Sequence, residues 1–150
     1  MPGTVEQIAI TPTESALPEV VAAVEVLAEQ GPRGDRYFLA EPTKRPDGGD
    51  LTLIEAEALE SFSAETGIPL SHQESRRNVL TRGARLNELV GRRFRVGEVE
   101  CLGIELCEPC SHLQGLTRPG VLKGMVGRGG LRVDVVRSGT IRVGDDLVEL

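Results

Sequence analysis

A chain of 150 residues with a net charge of −6 has the length of one domain, enough to bury roughly 70% of its unfolded surface around a core without disulfide staples. No Trp, one Tyr and three Phe leave that core to Val, Leu and Ile, and leave little surface for stacking nucleic-acid bases. No apolar run approaches the roughly 18–20 residues of a membrane span, and no basic segment followed by an apolar one opens the chain; the expectation is a single domain over 1–150, cytoplasmic, without membrane or nucleic-acid partners.

Residues 4–10 carry Val5, Ile8 and Ile10 and predict an opening strand that ends at Pro12. The β-branched run from Val20 to Leu27 predicts a second, and 31–37 a turn-rich loop with Gly31 and Gly34 around charged residues. Residues 42–50 read as a surface loop, 51–54 as a strand, and 55–62 as a helix that stops near Gly67 and Pro69. After the cationic stretch 76–83, residues 86–91 predict one or two helical turns closed by Gly91. Phe94, Val96, Val99 and Cys101 alternate around Gly97-Glu98, predicting a hairpin whose second arm runs to Cys107. Strands follow at 131–136, at 141–143 after a turn at 138–140, and at 147–150. Many short strands and few helices predict a mainly β (α+β) fold, a β-barrel with helices at its ends.

Charge is divided unevenly along the chain. Residues 1–75 hold four Lys/Arg against fourteen Asp/Glu, and residues 76–150 hold thirteen against nine. The cationic half contains Cys107-Glu108-Pro109-Cys110-Ser111-His112, where hydroxyl, imidazole and nearby arginines favour a thiolate on Cys110. Cys101, at an apolar strand position, reads as structural, and Cys107 as intermediate. Cys101, Cys107, Cys110 and His112 offer four zinc ligands, but from one twelve-residue stretch rather than the two separated clusters of a structural zinc site. Arg76, Arg77, Asn78, Thr81 and Arg82 suit a phosphate, whose oxygens match guanidinium forks; equally, they suit surface ion pairs with the acidic first half.

The sequence Arg77-Asn78-Val79-Leu80-Thr81-Arg82-Gly83, the run 89–97, and Glu108-Pro109-Cys110 followed by Leu116-Thr117 and Gly129-Gly130-Leu131-Arg132 together resemble the MOSC domain, named for the carboxy-terminal region of molybdenum cofactor sulfurase. The likeness runs from about Thr4 to Leu150, with Gly34-Asp35-Arg36 and Leu51-Thr52-Leu53-Ile54-Glu55 in its earlier half. The resemblance implies a MOSC-type β-barrel with helices packed at its ends. It also implies a cysteine, Cys110, that ligates the molybdenum of molybdenum cofactor or carries sulfur. Arg77, Asn78, Thr81 and Arg82 become candidates for the pterin phosphate, with Ser111 and His112 beside the cysteine. The chain has no aminotransferase-like desulfurase domain, hence no pyridoxal phosphate, and Tyr37 stands where histidine is more usual.

Two functional readings follow from that resemblance. One is a cofactor-binding protein of the small stand-alone bacterial type, reducing N-hydroxylated small molecules with a separate redox partner as electron donor. The other is a sulfur carrier that takes a persulfide on Cys110 from a cysteine desulfurase and passes it to an acceptor. A non-catalytic cofactor-binding domain is the third alternative.

Overall fold

Period-two alternation of apolar side chains fixes the architecture, because each strand of the barrel must present one face inward. The computed structural model describes residues 3–13, 16–43, 49–107, 117 and 120–150. Its strands are β1 (Gly3–Ile10), β2 (Glu19–Val21), β3 (Ala23–Leu27), β4 (Gly31–Pro32), β5 (Leu51–Glu55), β6 (Val79–Arg82), β7 (Arg93–Val96), β8 (Val99–Leu106), β9 (Leu131–Arg137), β10 (Gly139–Arg142) and β11 (Asp146–Glu149). Helices α1 (Ala56–Thr66), α2 (His72–Ser75) and α3 (Val121–Gly124) and a 3-10 turn, Leu86–Leu89, join them.

Seven strands close on themselves in the order β11-β7-β8-β9-β5-β6-β1, and β1 returns to β11 through the pairs Gly3/Leu147 and Thr4/Asp146. Closure removes the exposed edges that an open sheet would present. Strands β5 and β6 run parallel, Leu53 beside Val79, with α1 on the crossover between them, and the other neighbours in the ring are antiparallel. β2 adds to β1 outside the ring, and β10-β3-β4 form a second, three-stranded sheet. The mainly β expectation therefore holds.

Alternation sorts the core into two parts. Leu53 and Val79 point into the barrel with Val5, Ile8, Phe94, Val99, Leu131 and Val133, all at most 1% exposed. Their neighbours Ile54 and Leu80 point the other way, onto Leu59 and Phe62 of α1 and Val121 and Met125 around α3. Helix α1 ends where Gly67 takes a left-handed conformation (φ 75°) and its N–H bonds the Ser63 carbonyl, the usual use of glycine after a helix.

Three details depart from the sequence reading. Gly31–Pro32 pairs with β3 instead of turning freely. Gly139 begins a strand rather than a turn, and β10 leaves β9 to pair with β3, Ile141 opposite Val24. The unforeseen α2 is set by a capping box: the Ser71 hydroxyl accepts from Glu74 N, and the Glu74 carboxylate accepts from Ser71 N.

Within α2, His72 is only 4% exposed. Burial pushes its pKa down from 6.5 to about 4, against two main-chain carbonyls that work the other way. The unfolded chain therefore binds a proton that the native ring refuses between these values, so stability is full above about pH 6.5 and falls as pH drops toward 4. We predict that acidification through this window costs up to about 3 kcal/mol through His72. Urea midpoints measured from pH 7 to pH 4 should fall less steeply in His72→Gln; parallel slopes would show that His72 does not titrate this way.

Candidate functional site

The lead-in to β6, Arg76-Arg77-Asn78, is fastened to the barrel before its arginines are aimed anywhere. Asn78 does the fastening. Its Oδ1 accepts from Thr52 N (3.2 Å) and from Thr52 Oγ1 (3.1 Å), and its own N–H donates to Thr52 Oγ1 (3.0 Å). On the other side its Nδ2 donates to the Ala9 carbonyl (3.2 Å), and its carbonyl accepts from Ala9 N (2.7 Å). One residue thus joins β1, β5 and β6. Thr81 is fully buried, its hydroxyl 3.4 Å from the Ile54 carbonyl, so its side chain belongs to the barrel wall.

Arg82 takes the ion-pair reading. It lies at the far end of β6 from Arg77, with Nε 2.6 Å from Glu6 and Nη2 2.6 Å from Glu60. All three side chains are exposed. Of the two readings the sequence left open for the set Arg77, Asn78, Thr81 and Arg82, the ion pair describes Arg82: Val79, Leu80 and Thr81 of β6 separate it from the lead-in, and two carboxylates occupy its guanidinium.

A different arginine pair comes together. In the loop after β4, Asp35 Oδ1 accepts from Thr11 N (2.8 Å) and Arg36 N donates to the Thr11 carbonyl (2.8 Å), which docks the loop on the end of β1. Arg36 lies 4.3 Å over the Tyr37 ring. Arg76 Nη1 donates to the Ala16 carbonyl (2.6 Å), and burial, then the Arg36 charge, lowers the Arg76 pKa. Among the described residues, Arg36 Nε and Arg76 Nη2 are buried without a hydrogen-bond partner, as are Glu57 Oε1 and Arg128 Nη1 beside the acidic cavity along α1. Desolvated guanidinium donors that repel each other are a costly arrangement in an empty protein and a favourable one around an oxyanion. Arg76 was among the sequence candidates for phosphate; Arg36, forty positions earlier, was missed, since only the fold reveals their approach.

Arg77 turns toward a second group. Its Nε donates to the Gly129 carbonyl (2.7 Å), and the Cys107 N–H donates to the Gly130 carbonyl (2.8 Å). Gly130 sits at φ 106°, and a Cβ there would strike the Leu53 carbonyl, so only glycine allows this approach. Burial pushes the Cys107 thiol up, opposed by Arg77 and Arg132 beside it. Arg132 also pairs with Glu105 at 2.8 Å. Cys101 is a core residue, fully buried, its pKa raised by the same desolvation. Cys110, Ser111 and His112 lie outside the described residues, and Cys107 is the last described residue before them.

A cavity of about 310 Å³ lies along α1, lined in part by Glu55, Glu57, Glu65 and Arg128. Arg128 is paired with Glu65, so this lining repels a phosphate.

The MOSC domain model matches residues 45–148. The chain belongs to the MOSC domain family. This MOSC domain has the fold of the YuaD protein of Bacillus subtilis, at 18% identity, a TM-score of 0.84, and coverage of 98% of this chain and 94% of that one. The YiiM structures of Geobacillus stearothermophilus (TM-score 0.76, 99% and 75% covered) and Escherichia coli (0.70, 100% and 70%) match it at 18% identity as well. No curated protein matches in sequence. MOSC domains are known for binding molybdenum cofactor. The orphaned donors of Arg36 and Arg76 fit the phosphate of such a group, and both sit close to the segment that carries Asn78 and the barrel. Among the described residues no helix is long and apolar enough to cross a membrane.

Asn78 and Arg82 should respond oppositely to truncation. Asn78→Ala removes hydrogen bonds to two strands and is expected to cost about 2–4 kcal/mol, whereas Arg82→Ala is expected to cost under about 1 kcal/mol because its pairs are exposed. Urea denaturation of both variants checks this; equal losses would contradict it.

Proposed function

We propose that this MOSC domain binds molybdenum cofactor, with the pterin phosphate on Arg36 and Arg76 and the Cys110 thiolate on the metal. On this reading it reduces N-hydroxylated small molecules with electrons from a separate redox partner. The observation that carries the reading is the pair of buried guanidinium donors, Arg36 Nε and Arg76 Nη2, that no group among the described residues satisfies. Phosphate oxygens supply the acceptors these donors lack. Two further features support it. Burial raises the Cys107 thiol, and Arg77 and Arg132 oppose that rise; a cysteine that met the same two guanidinium groups with less burial would have its thiolate favoured. The Asn78 clip keeps Arg76 and Arg77 at fixed positions on the barrel, so binding an anion there requires little ordering.

The bound cofactor would supply a two-electron redox centre, and thiolate sulfur is a suitable soft ligand for it. The protein's own part is to orient the group by its phosphate and to hold the ligating sulfur ionised. Asn78 and Thr81 contribute by holding the lead-in and the barrel wall, since their side chains are bonded to main-chain and threonine groups. Ser111 and His112, beside Cys110, are proposed as further contacts of the cofactor.

The test is a preparation from a host that makes the cofactor, with molybdenum and pterin measured per chain. Near-stoichiometric metal is expected in the natural sequence, lost in Cys110→Ala and reduced at least about tenfold in Arg76→Ala, as for loss of a charge-assisted contact. Incubation with a desulfurase and cysteine supplies the counter-test. A mass increase of about 32 Da on Cys110 without metal would favour the persulfide carrier instead. Metal content unchanged in both variants would overturn the cofactor reading.

A further inference from the structure

His72 takes no part in the site as described, yet it touches the segment that aims the arginines. Its Nε2 lies 2.9 Å from the Arg77 carbonyl and its Nδ1 3.0 Å from Gln7 Oε1 of β1. With the pKa pushed down to about 4 by burial, the ring is neutral at pH 7: Nε2–H donates to the Arg77 carbonyl, and Nδ1 accepts from the Gln7 amide once that amide is turned so that its nitrogen, not Oε1, faces the ring. The rest of α2 closes around the same peptide units. Ser75 Oγ donates to the His72 carbonyl (2.5 Å) and accepts from Arg77 N (3.4 Å), while Arg76 N donates to the Gln73 carbonyl (3.1 Å). Gln73 Nε2 in turn donates to the Pro18 carbonyl (2.8 Å), close in sequence to the Ala16 carbonyl that Arg76 Nη1 reaches.

Arg76 itself is in the left-handed region, φ 62° and ψ 24°, at the C-cap of α2. That position ordinarily falls to glycine or asparagine, and a side-chain-bearing residue stays there when its surroundings over-determine it. A glycine would close the turn as well, but would present no guanidinium to Arg36. The turn is thus built to carry this side chain.

We propose that His72 is a positioning residue, whose ring, bridging β1 and the Arg77 carbonyl, locks the α2 turn so that Arg76 leaves it toward the anion while Arg77 is held on the Gly129 carbonyl. This rests on the assignment of Arg76 to a phosphate. Its action is through the main chain, with no contact to the ligand. Once the ring is removed, the Arg77 carbonyl loses its donor and the Arg76 conformation loses its constraint; the arginines then spend binding energy on ordering.

The test uses the whole chain, made in a host without the cofactor and titrated calorimetrically with inorganic phosphate at low ionic strength, with urea midpoints measured alongside. His72→Leu, of similar bulk without a donor, should weaken phosphate at least about tenfold, the scale of one charge-assisted contact misplaced. His72→Gln, whose amide nitrogen replaces Nε2, should restore affinity to within about threefold of the natural sequence. Phosphate affinity unchanged in folded His72→Leu, or no recovery in folded His72→Gln, would overturn the positioning role. If His72→Leu does not fold, Ser75→Ala probes the same turn: weaker phosphate binding supports the proposal and unchanged binding overturns it. A natural sequence that binds no phosphate, or an Arg76→Ala variant that binds it equally well, identifies the phosphate assignment as the failure, and this inference falls with it.

Discussion

One carboxamide ties the site to the fold. Asn78 spends its amide oxygen and its backbone N–H on Thr52, and its amide nitrogen and carbonyl on Ala9, so β1, β5 and β6 meet at one residue. An amide can do this because it carries both donors and an acceptor with two lone pairs, and because a buried polar group must have its bonds satisfied. Arg77 and Arg76 stand immediately before it. Their positions are inherited from a barrel closed by β1 pairing with β11.

Electrostatics then separates two kinds of arginine. Arg82, Arg33 and Arg92 sit in exposed ion pairs with Glu6 and Glu60, Glu25 and Glu149, where water screens the interaction and little stability is gained. Arg36 and Arg76 are half-buried and repel one another, and each keeps one buried donor without a partner among the described residues. The first kind contributes little to stability either way. The second holds unfavourable energy that an oxyanion would relieve, which is the ground for proposing a phosphate there. The Cys107 thiol is desolvated but faced by Arg77 and Arg132.

Much of the barrel was legible in the sequence because strand alternation is a local signal: Phe94 and Val96, Leu131 and Val133 announce their faces within two residues, whereas Val5 and Ile8 share a face only through the register shift between Val5 and Gln7. Pairing partners were not. Nothing around Gly139 says that β10 will leave β9 for β3, since register and neighbour are set by contacts distant in the chain. Helix α2 was written in Ser71 and Glu74, a capping box, but four residues give too short a period to announce a helix. At the site, residue type misled where geometry decides. Thr81 and Arg82 look like phosphate ligands in a line of text, yet alternation sends the hydroxyl into the barrel wall and two glutamates claim the guanidinium. Arg36 was invisible as a site residue because its approach to Arg76 joins two loops forty residues apart. Its loop showed in the sequence as a stretch rich in glycine and charge and as Gly34-Asp35-Arg36 of the family resemblance, without a role for the Arg36 side chain.

The central claim is that Arg36 and Arg76 together hold the phosphate of a molybdenum-bearing pterin whose metal is bound by Cys110. Crystallographic analysis of the protein purified from a cofactor-producing host, with diffraction recorded at the molybdenum absorption edge, addresses it most directly. The expected result is an anomalous peak at bonding distance from Cys110 Sγ and a phosphate accepting hydrogen bonds from Arg36 Nε and Arg76 Nη2. A pterin phosphate seated elsewhere, with those two donors still unpaired, would contradict it.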